Sequence, residues 1–442
     1  MKRTGNKGFS LVETVVAMAI FVVIMLITGA AFKTALSNVS LVNKSEESNI
    51  EGVVGLEMFR HDIAQAGFGL PDSLNSTVPI TYVEAKYSPA LAYNDAPGNV
   101  INPTNVPRAV VGGNDLNNIS DSNSVSGVTY SVLSGTDYLA LKGTSLGITS
   151  AAQNWTYMQY PNTIMQWGGA GNLSTNDQVI VINRTFPTTP GPSNQLIYTT
   201  GNSYWVNYIS NGSAANWNNF TPNQAGQLYY IYGVQSNASG NPQSLGMPFN
   251  RADYFVAKPS DNSLPSSCAR NTGILYKAIV NHKDGTLTYL PIMDCVADMQ
   301  VVLGWNLGDS SGNPLPISSN FSTGSGLIDT WTNADGSTPS SNLSTPSGGW
   351  ANYLQGIVAD PAQIRTKLKL VKVYILAQVG HMDPNYTSPS SIQMADPNAA
   401  ELSLVRQSNN PSGYYNLASN MLNYRWKVYR LVVKPNNLVS NQ

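Results

Sequence analysis

"KGFSLVETVVAMAIF", Lys7 to Phe21, sets one acid, Glu13, inside a run that otherwise reads as membrane-spanning. Lys2, Arg3 and Lys7 form a short basic leader ahead of it, and from Phe9 to Phe32 Glu13 is the only charge. At about 1.5 Å per residue a helix over that run reaches roughly 36 Å. A hydrocarbon core is about 30 Å thick. The positive leader predicts a cytoplasmic N-terminus and a single pass, with the rest of the chain outside. A carboxylate in mid-membrane costs about 2.5–3.5 kcal/mol on insertion scales, so Glu13 calls for a partner.

Three readings of this stretch compete. A secretory signal has an apolar region of about 7–15 residues and then a small-residue cleavage site. Here the run is longer, and amphipathic sequence follows it directly. A plain membrane anchor leaves Glu13 unexplained. The third reading rests on a resemblance. Gly8, Phe9, Ser10, Leu11 and Glu13 match the class III signal of type IV prepilins, a basic leader ending in Gly and then a hydrophobic helix with Glu fifth. The resemblance implies cleavage by a prepilin peptidase between Gly8 and Phe9 and N-methylation of Phe9. The new α-amine is cationic at neutral pH. Between packed helices it could pair with Glu13 of a neighbouring subunit, a buried charge that sets register.

No proline occurs before Pro71, so the helix is expected to continue past the apolar run. After the polar stretch Asn43–Ser48, apolar residues return at Ile50, Val53, Val54, Leu56, Phe59, Ile63 and Ala66 with helical spacing. Gly67, Gly69 and Pro71 then stop the helix. Gly29 is its weak point, where bending or local melting is expected. "LEMFRHDIAQAGFG", Leu56 to Gly69, resembles a second signature, that of PilW-type minor pilins, through Leu56, Arg60, Asp62, Ile63, Ala66, Gly67 and Phe68. Arg60 and Asp62 read as a solvated or locally paired helix face.

The composition is that of an exported, turn-rich β protein. Only 11% of the 442 residues are charged, against about 25% in an ordinary soluble domain. A net charge of −1 gives no footprint for nucleic acid. Cys268 and Cys295 are the only cysteines. In a cytosolic protein they would be buried thiols; in an exported one they read as a disulfide. Strand-like runs begin at Val78 ("VPITYVEA"), Asp137, Asp177, Gln195 and Gln227. Ile274–Val280 and Thr286–Pro291 flank Asp284-Gly285, a type I′ turn signal. "CVADMQVVLGW" reads as a further strand and resembles the PilW-type "Val-x-Asp-x-Gln" through Val296, Asp298 and Gln300. Strands are also expected from Thr366 and Tyr424, the latter running into a "Pro-Asn-Asn-Leu" close. Residues 95–130, 185–225, 235–265, 308–356 and 383–415 are rich in Asn, Ser, Gly and Pro and read as loop-like insertions.

No P-loop, HExxH or CxxC occurs, so the sequence points away from an enzyme, and no cofactor or metal is expected. His61, His282 and His381 lie far apart. Asp115, Asp121 and Asn123, or Asp309, Ser311 and Asn313, could ring a calcium ion but lack EF-hand spacing. Aromatic residues such as Trp155, Tyr157, Trp167 and Tyr230 are either core and strand residues or a binding face for glycan or another surface.

The resulting expectation is an α+β protein: a long N-terminal helix, transmembrane or in a filament core, packed on an antiparallel pilin head with large turn-rich β insertions. Residues 1–8 would be leader, 9–32 the hydrophobic assembly helix, 33–70 its amphipathic continuation and 71–442 the head. The resemblance implies a minor pilin, inserted in the inner membrane before moving to a pilus at the cell surface. Its partners would be other pilins, the peptidase and the inner membrane, with no nucleic acid. A type II secretion pseudopilin or a pilus-tip adhesin are the alternatives.

Overall fold

A computed structural model describes residues 11–72, 74, 82–95, 106–122, 127–185, 193–199, 203–210, 217, 219–236, 244–261, 263–317, 324–406 and 411–438. It consists of an N-terminal helix and a β domain whose strand pairs are all antiparallel. The helix α1 covers Leu11–Gln65, 55 residues, and its backbone stays helical through Gly29. The melting expected there does not occur, because one glycine costs only about 1 kcal/mol in a helix. Gly67 and Gly69 stop the helix with φ of 87° and 64°, where a side chain would be strained.

The first strands are β1 (Val110–Leu116), β2 (Tyr130–Val132) and β3 (Thr136–Gly143). A smaller unit follows: β4 (Trp155–Gln159), β5 (Thr163–Ile164), β6 (Gln178–Thr185), β7 (Ser193–Leu196), β8 (Val206–Asn207) and β9 (Leu228–Gln235). Then come β10 (Asn250–Pro259), β11 (Gly273–Val280), β12 (Leu287–Trp305), β13 (Thr330–Asn333) and β14 (Pro339–Ser341). The helices α2 (Gly349–Ala359) and α3 (Pro361–Lys367) lead into β15 (Leu368–Val379), β16 (Ser391–Gln393), β17 (Tyr414–Asn416) and β18 (Arg425–Val433).

The main sheet has ten strands and runs β1-β3-β10-β11-β12, continuing through β15 to β18, with β13-β14 beside the far half of β12 and β2 beside β10. The second sheet, of six strands, runs β5-β4-β9-β6-β7 with β8 on β6. It is inserted between β3 and β10, which are themselves neighbours. The end of α1 covers one face of the main sheet, where Leu56, Phe59 and Ile63 meet Tyr254, Val256, Met293 and Val301. Across the sheet, Met394, Leu404, Val405 and Met421 cover Val302 and Leu376. The second sheet has its own core of Val179, Val181, Met158 and Ile231 under Trp217 and Phe220.

Several expectations need correction. "VPITYVEA" forms no strand among its described residues, Tyr82–Ala85; Val83 N–H bonds the Gly246 carbonyl at 2.7 Å and the segment serves to deliver Glu84 into the core. Residues 235–265 are not a loop, since they hold β10 in mid-sheet. Residues 95–130 hold β1, 185–225 hold β7 and β8, 308–356 hold β13, β14 and the start of α2, and 383–415 hold β16 and the start of β17. The Asp284-Gly285 turn is not type I′, because only Gly285 has positive φ, 70°. Instead the loop closes with the Asn281 and Gly285 amides bonding the Thr286 and Asn281 carbonyls, while Asp284 Oδ1 accepts from the Thr286 amide.

The strand after that turn does not end at Pro291. It runs on as β12 through an irregularity at Cys295, whose φ is 54°. Cys295 is joined to Cys268 by a disulfide. Beyond Val296, β12 leaves β11 and comes against the start of β3. There a side chain substitutes for a strand partner: Asp137 accepts the Val301 amide at 2.7 Å and the Asp115 amide at 2.9 Å. Burial still pushes the Asp137 carboxyl well above the usual range. In the chain-entropy account, closing a loop of sequence separation 27 contributes about 3.5 kcal/mol. The double variant Cys268→Ala/Cys295→Ala should therefore lose about that much unfolding free energy in urea denaturation of the oxidised chain, with an unchanged midpoint the contrary result.

Candidate assembly site

α1 lives in two environments. Near its N-terminus apolar side chains point in every direction and are exposed: Leu11 is 82% exposed and Phe21 60%. A helix apolar all round is stable only when something else surrounds it. Glu13 sits in the first turn of this segment, exposed like its neighbours. Gly8 and Phe9 lie outside the described residues. The expected span from Phe9 to Phe32 is described only in part, and among the described residues no helix is long and apolar enough to cross a membrane.

The other end of α1 is docked. Gly52 and Gly55 let the helix backbone lie directly on β12: a Cβ on Gly55 would stand 2.5 Å from Ile292 Cγ2, and one on Gly52 2.7 Å from Met293 Cε. Phe59 stacks on Tyr254 with ring centroids 3.9 Å apart. Leu56, Ile63 and Ala66 complete the buried face. Val53 and Val54, expected on that face, are 52% and 67% exposed. The glycines displace them, since the side that approaches the sheet most closely is the side without side chains.

Asp62 corrects another expectation. Arg60 does pair locally, with Glu57 at 3.6 Å on the exposed side. Asp62 is buried and pairs across the core with Lys277 Nζ at 2.5 Å, and it accepts from the Tyr254 hydroxyl at 2.6 Å. Burial and then the Asp62 charge push the Tyr254 phenol well above its usual range. The C-terminal "Pro-Asn-Asn-Leu" closes the helix end, with the Asn436 amide on the Ala64 carbonyl at 3.0 Å. Leu438 packs against Gly67. Val296, Asp298 and Gln300 all lie on β12; Asp298 takes two bonds of 2.7 Å from Arg406, and Gln300 reaches the Gly135 carbonyl.

The densest titratable cluster was invisible in the sequence. Glu84, Asp95, Asp253, Arg108, Lys142 and Arg251 are all buried. Lys142 Nζ lies 2.8 Å from Glu84 and 2.6 Å from Asp95. Arg251 spans Glu84 at 2.9 Å and Asp253 at 2.7 Å, and Arg108 meets Asp95 at 2.6 Å. Three acids and three bases cancel, as buried charge must. Burial alone would raise the Asp95 carboxyl, but Lys142 and Arg108 outweigh it and bring it down to about 2. The only legible signal was the presence of Lys142, Arg251 and Asp253 inside apolar runs.

Other candidates are spent locally. Asp309 Oδ1 accepts the Ser311 and Asn313 amides, each at 2.9 Å, which makes a turn of the proposed calcium loop. Asp121 accepts from the Tyr289 hydroxyl, and Asn123 lies outside the described residues. His282 Nε2 is 3.0 Å from Asn250 Oδ1, and burial lowers its pKa to about 4. His61 is exposed beside Asp62, and His381 lines the groove under Met58.

Residues 3–29 match the prokaryotic N-terminal methylation motif. That match supports a pilin-type subunit carrying a prepilin signal. No curated protein matches the chain. Among solved structures the chain is similar to a type IV-like pilin, TTHA1219 from Thermus thermophilus, at 13% identity, covering 47% of this chain and 78% of that one with a TM-score of 0.20. So slight a likeness carries no weight beside the motif.

Two outcomes test this geometry. Gly55→Val should cost about 1–3 kcal/mol by overpacking against Ile292, whereas Val54→Ala should stay within about 0.5 kcal/mol. Equal effects in chemical denaturation would place the docked face elsewhere. Because the Asp95 pKa is depressed from 3.8 to about 2, its stabilisation is complete above pH 4 and is lost as pH falls through 2. Carboxyl NMR should find its midpoint near 2; a midpoint at or above 4 would dissolve the proposed pairing.

Proposed function

We propose that the chain is a minor pilin of the PilW type, a structural subunit of a type IV pilus and not an enzyme. The observation that carries this reading is the helix segment Leu11–Met25, whose described apolar side chains are exposed and which lies within the matched methylation motif. In this reading the leader, residues 1–8, is removed between Gly8 and Phe9 and Phe9 is methylated. Residues 9–32 then sit in the inner membrane before assembly and among other pilin helices after it. Glu13 meets the amine of a neighbouring subunit there, a pairing that sets register.

The docked end of α1 supports the same mechanism. A helix held to β12 by Gly55, to β10 by Phe59 and to β11 by Asp62 transmits the position of its apolar end to the head. Assembly then needs no chemistry beyond processing. The size of the head favours a scarce, tip-proximal position, because a bulky subunit crowds a helical array.

Intact mass of the protein recovered from a piliated host should correspond to a chain beginning at Phe9 with one added methyl group. Gly8→Val should stay full length. Glu13→Ala should be inserted and cleaved but excluded from pili. Normal incorporation of that variant would overturn the pairing, and an uncleaved wild-type chain would overturn the reading as a whole.

A further inference from the structure

The unit between β3 and β10 carries almost no charge. Asp177 and Arg184 are the only charged side chains from Thr144 to Phe249. Asp177 is buried, with an oxygen on the Ser174 amide at 2.8 Å, and Arg184 is half-buried. The same stretch holds half of the chain's eight tryptophans and many Asn and Gln side chains. Its surface is therefore aromatic and amide-rich, and close to neutral.

The aromatics are ordered into a shelf. In β4 and β9 alternate residues point away from the core of Val179 and Ile231: Trp155, Tyr157 and Tyr230 form the row, and Tyr232 closes its inner end against Phe68 of the main core. Trp155 lies 6.1 Å from Tyr230 and 6.4 Å from Tyr232, centroid to centroid. Trp167 lies across the row, 5.2 Å from Trp155 and 5.8 Å from Tyr157. Its indole N–H is fixed on the Trp155 carbonyl at 2.6 Å, and its own amide is held by Asn172 Oδ1 at 2.7 Å. Trp167 is nevertheless 45% exposed. A large ring locked in place while open to solvent has already lost the rotational freedom that binding would otherwise cost.

We infer that this shelf is a binding platform for a neutral glycan. The C–H faces of a pyranose ring are apolar and stack on indole and phenol rings, while its hydroxyls seek neutral donors and acceptors. Gln159 and Thr163 stand exposed as a cross-strand pair at the end of the row and supply both. Charge selects among the alternatives. Nucleic acid and anionic polymers need cations that this unit does not present. A basic peptide needs acids that it also lacks. A membrane surface is usually met by aliphatic side chains backed by Lys and Arg, and the unit has no lysine at all. What remains complementary is an uncharged, polyhydroxylated ligand. This inference stands apart from the pilin reading and does not require it.

The test is calorimetric titration of the full chain in neutral detergent with cellohexaose and with the N-acetylglucosamine hexamer. At least one should bind saturably, and Trp167→Ala should weaken it tenfold or more with an unchanged circular dichroism spectrum. Tyr230→Ala, on the same shelf, should also weaken it. Trp426→Ala, remote on β18, should not. Failure of both sugars to bind, or binding that survives Trp167→Ala, would each overturn the assignment.

Discussion

Asp62 is the charge that α1 carries into the core, and its pairing with Lys277 fixes the helix on the sheet. Apolar contacts alone would let a helix rotate or slide along a sheet at modest cost. A buried carboxylate cannot, because losing its partner leaves an uncompensated charge worth about 3–5 kcal/mol. Tyr254 reinforces the same point, bonding Asp62 through its hydroxyl and Phe59 through its ring. Gly55 fixes the depth and Asp62 fixes the angle. Everything the apolar end of α1 can do in an assembly is referred to that joint.

The same principle recurs at larger scale in the cluster around Lys142 and Arg251. Glu84 and Asp95 are held by cations from other segments, and Asp253 by Arg251 of its own strand, so β3, β10 and the stretch 82–95 are bound by charge as well as by backbone. Replacing such networks with apolar residues can leave stability unchanged, so their value lies in specifying one arrangement. For strands that must meet across a long insertion, one arrangement is what is required.

The parts of this fold that were legible in the sequence were those with one dominant periodicity. The length of α1 past its apolar run and its stop followed from the apolar spacing, the missing prolines and Gly67-Gly69. β3, β6, β9, β15 and β18 followed from alternation of branched and aromatic residues. β10 was hidden because Arg251 and Asp253 make "NRADYFVAKP" read as surface. Only the tertiary partners Glu84 and Lys142 turn those charges into core. β1 was hidden by Gly112 and Gly113, which lie where Ala334 and Tyr93 press too closely for a side chain. Within the candidate site the motif residues were legible as a local pattern. The docked face was misread because glycine, which has no hydropathy to display, lies at its centre.

The register of the main sheet sets Gly143 directly opposite Asn250. Chain leaves the sheet at one end of that rung and returns at the other. In topological terms, everything from 144 to 249 is the loop of a β-hairpin whose stem is β3 and β10. Closure entropy grows only with the logarithm of loop length, so a stem this well fixed places little restriction on what hangs from it. That rung is a socket set against the end of α1, where the Thr144 amide bonds the Phe68 carbonyl at 2.8 Å and Phe68 meets Tyr232 edge-on: a lineage could exchange the surface chemistry of the aromatic unit provided it kept that one contact.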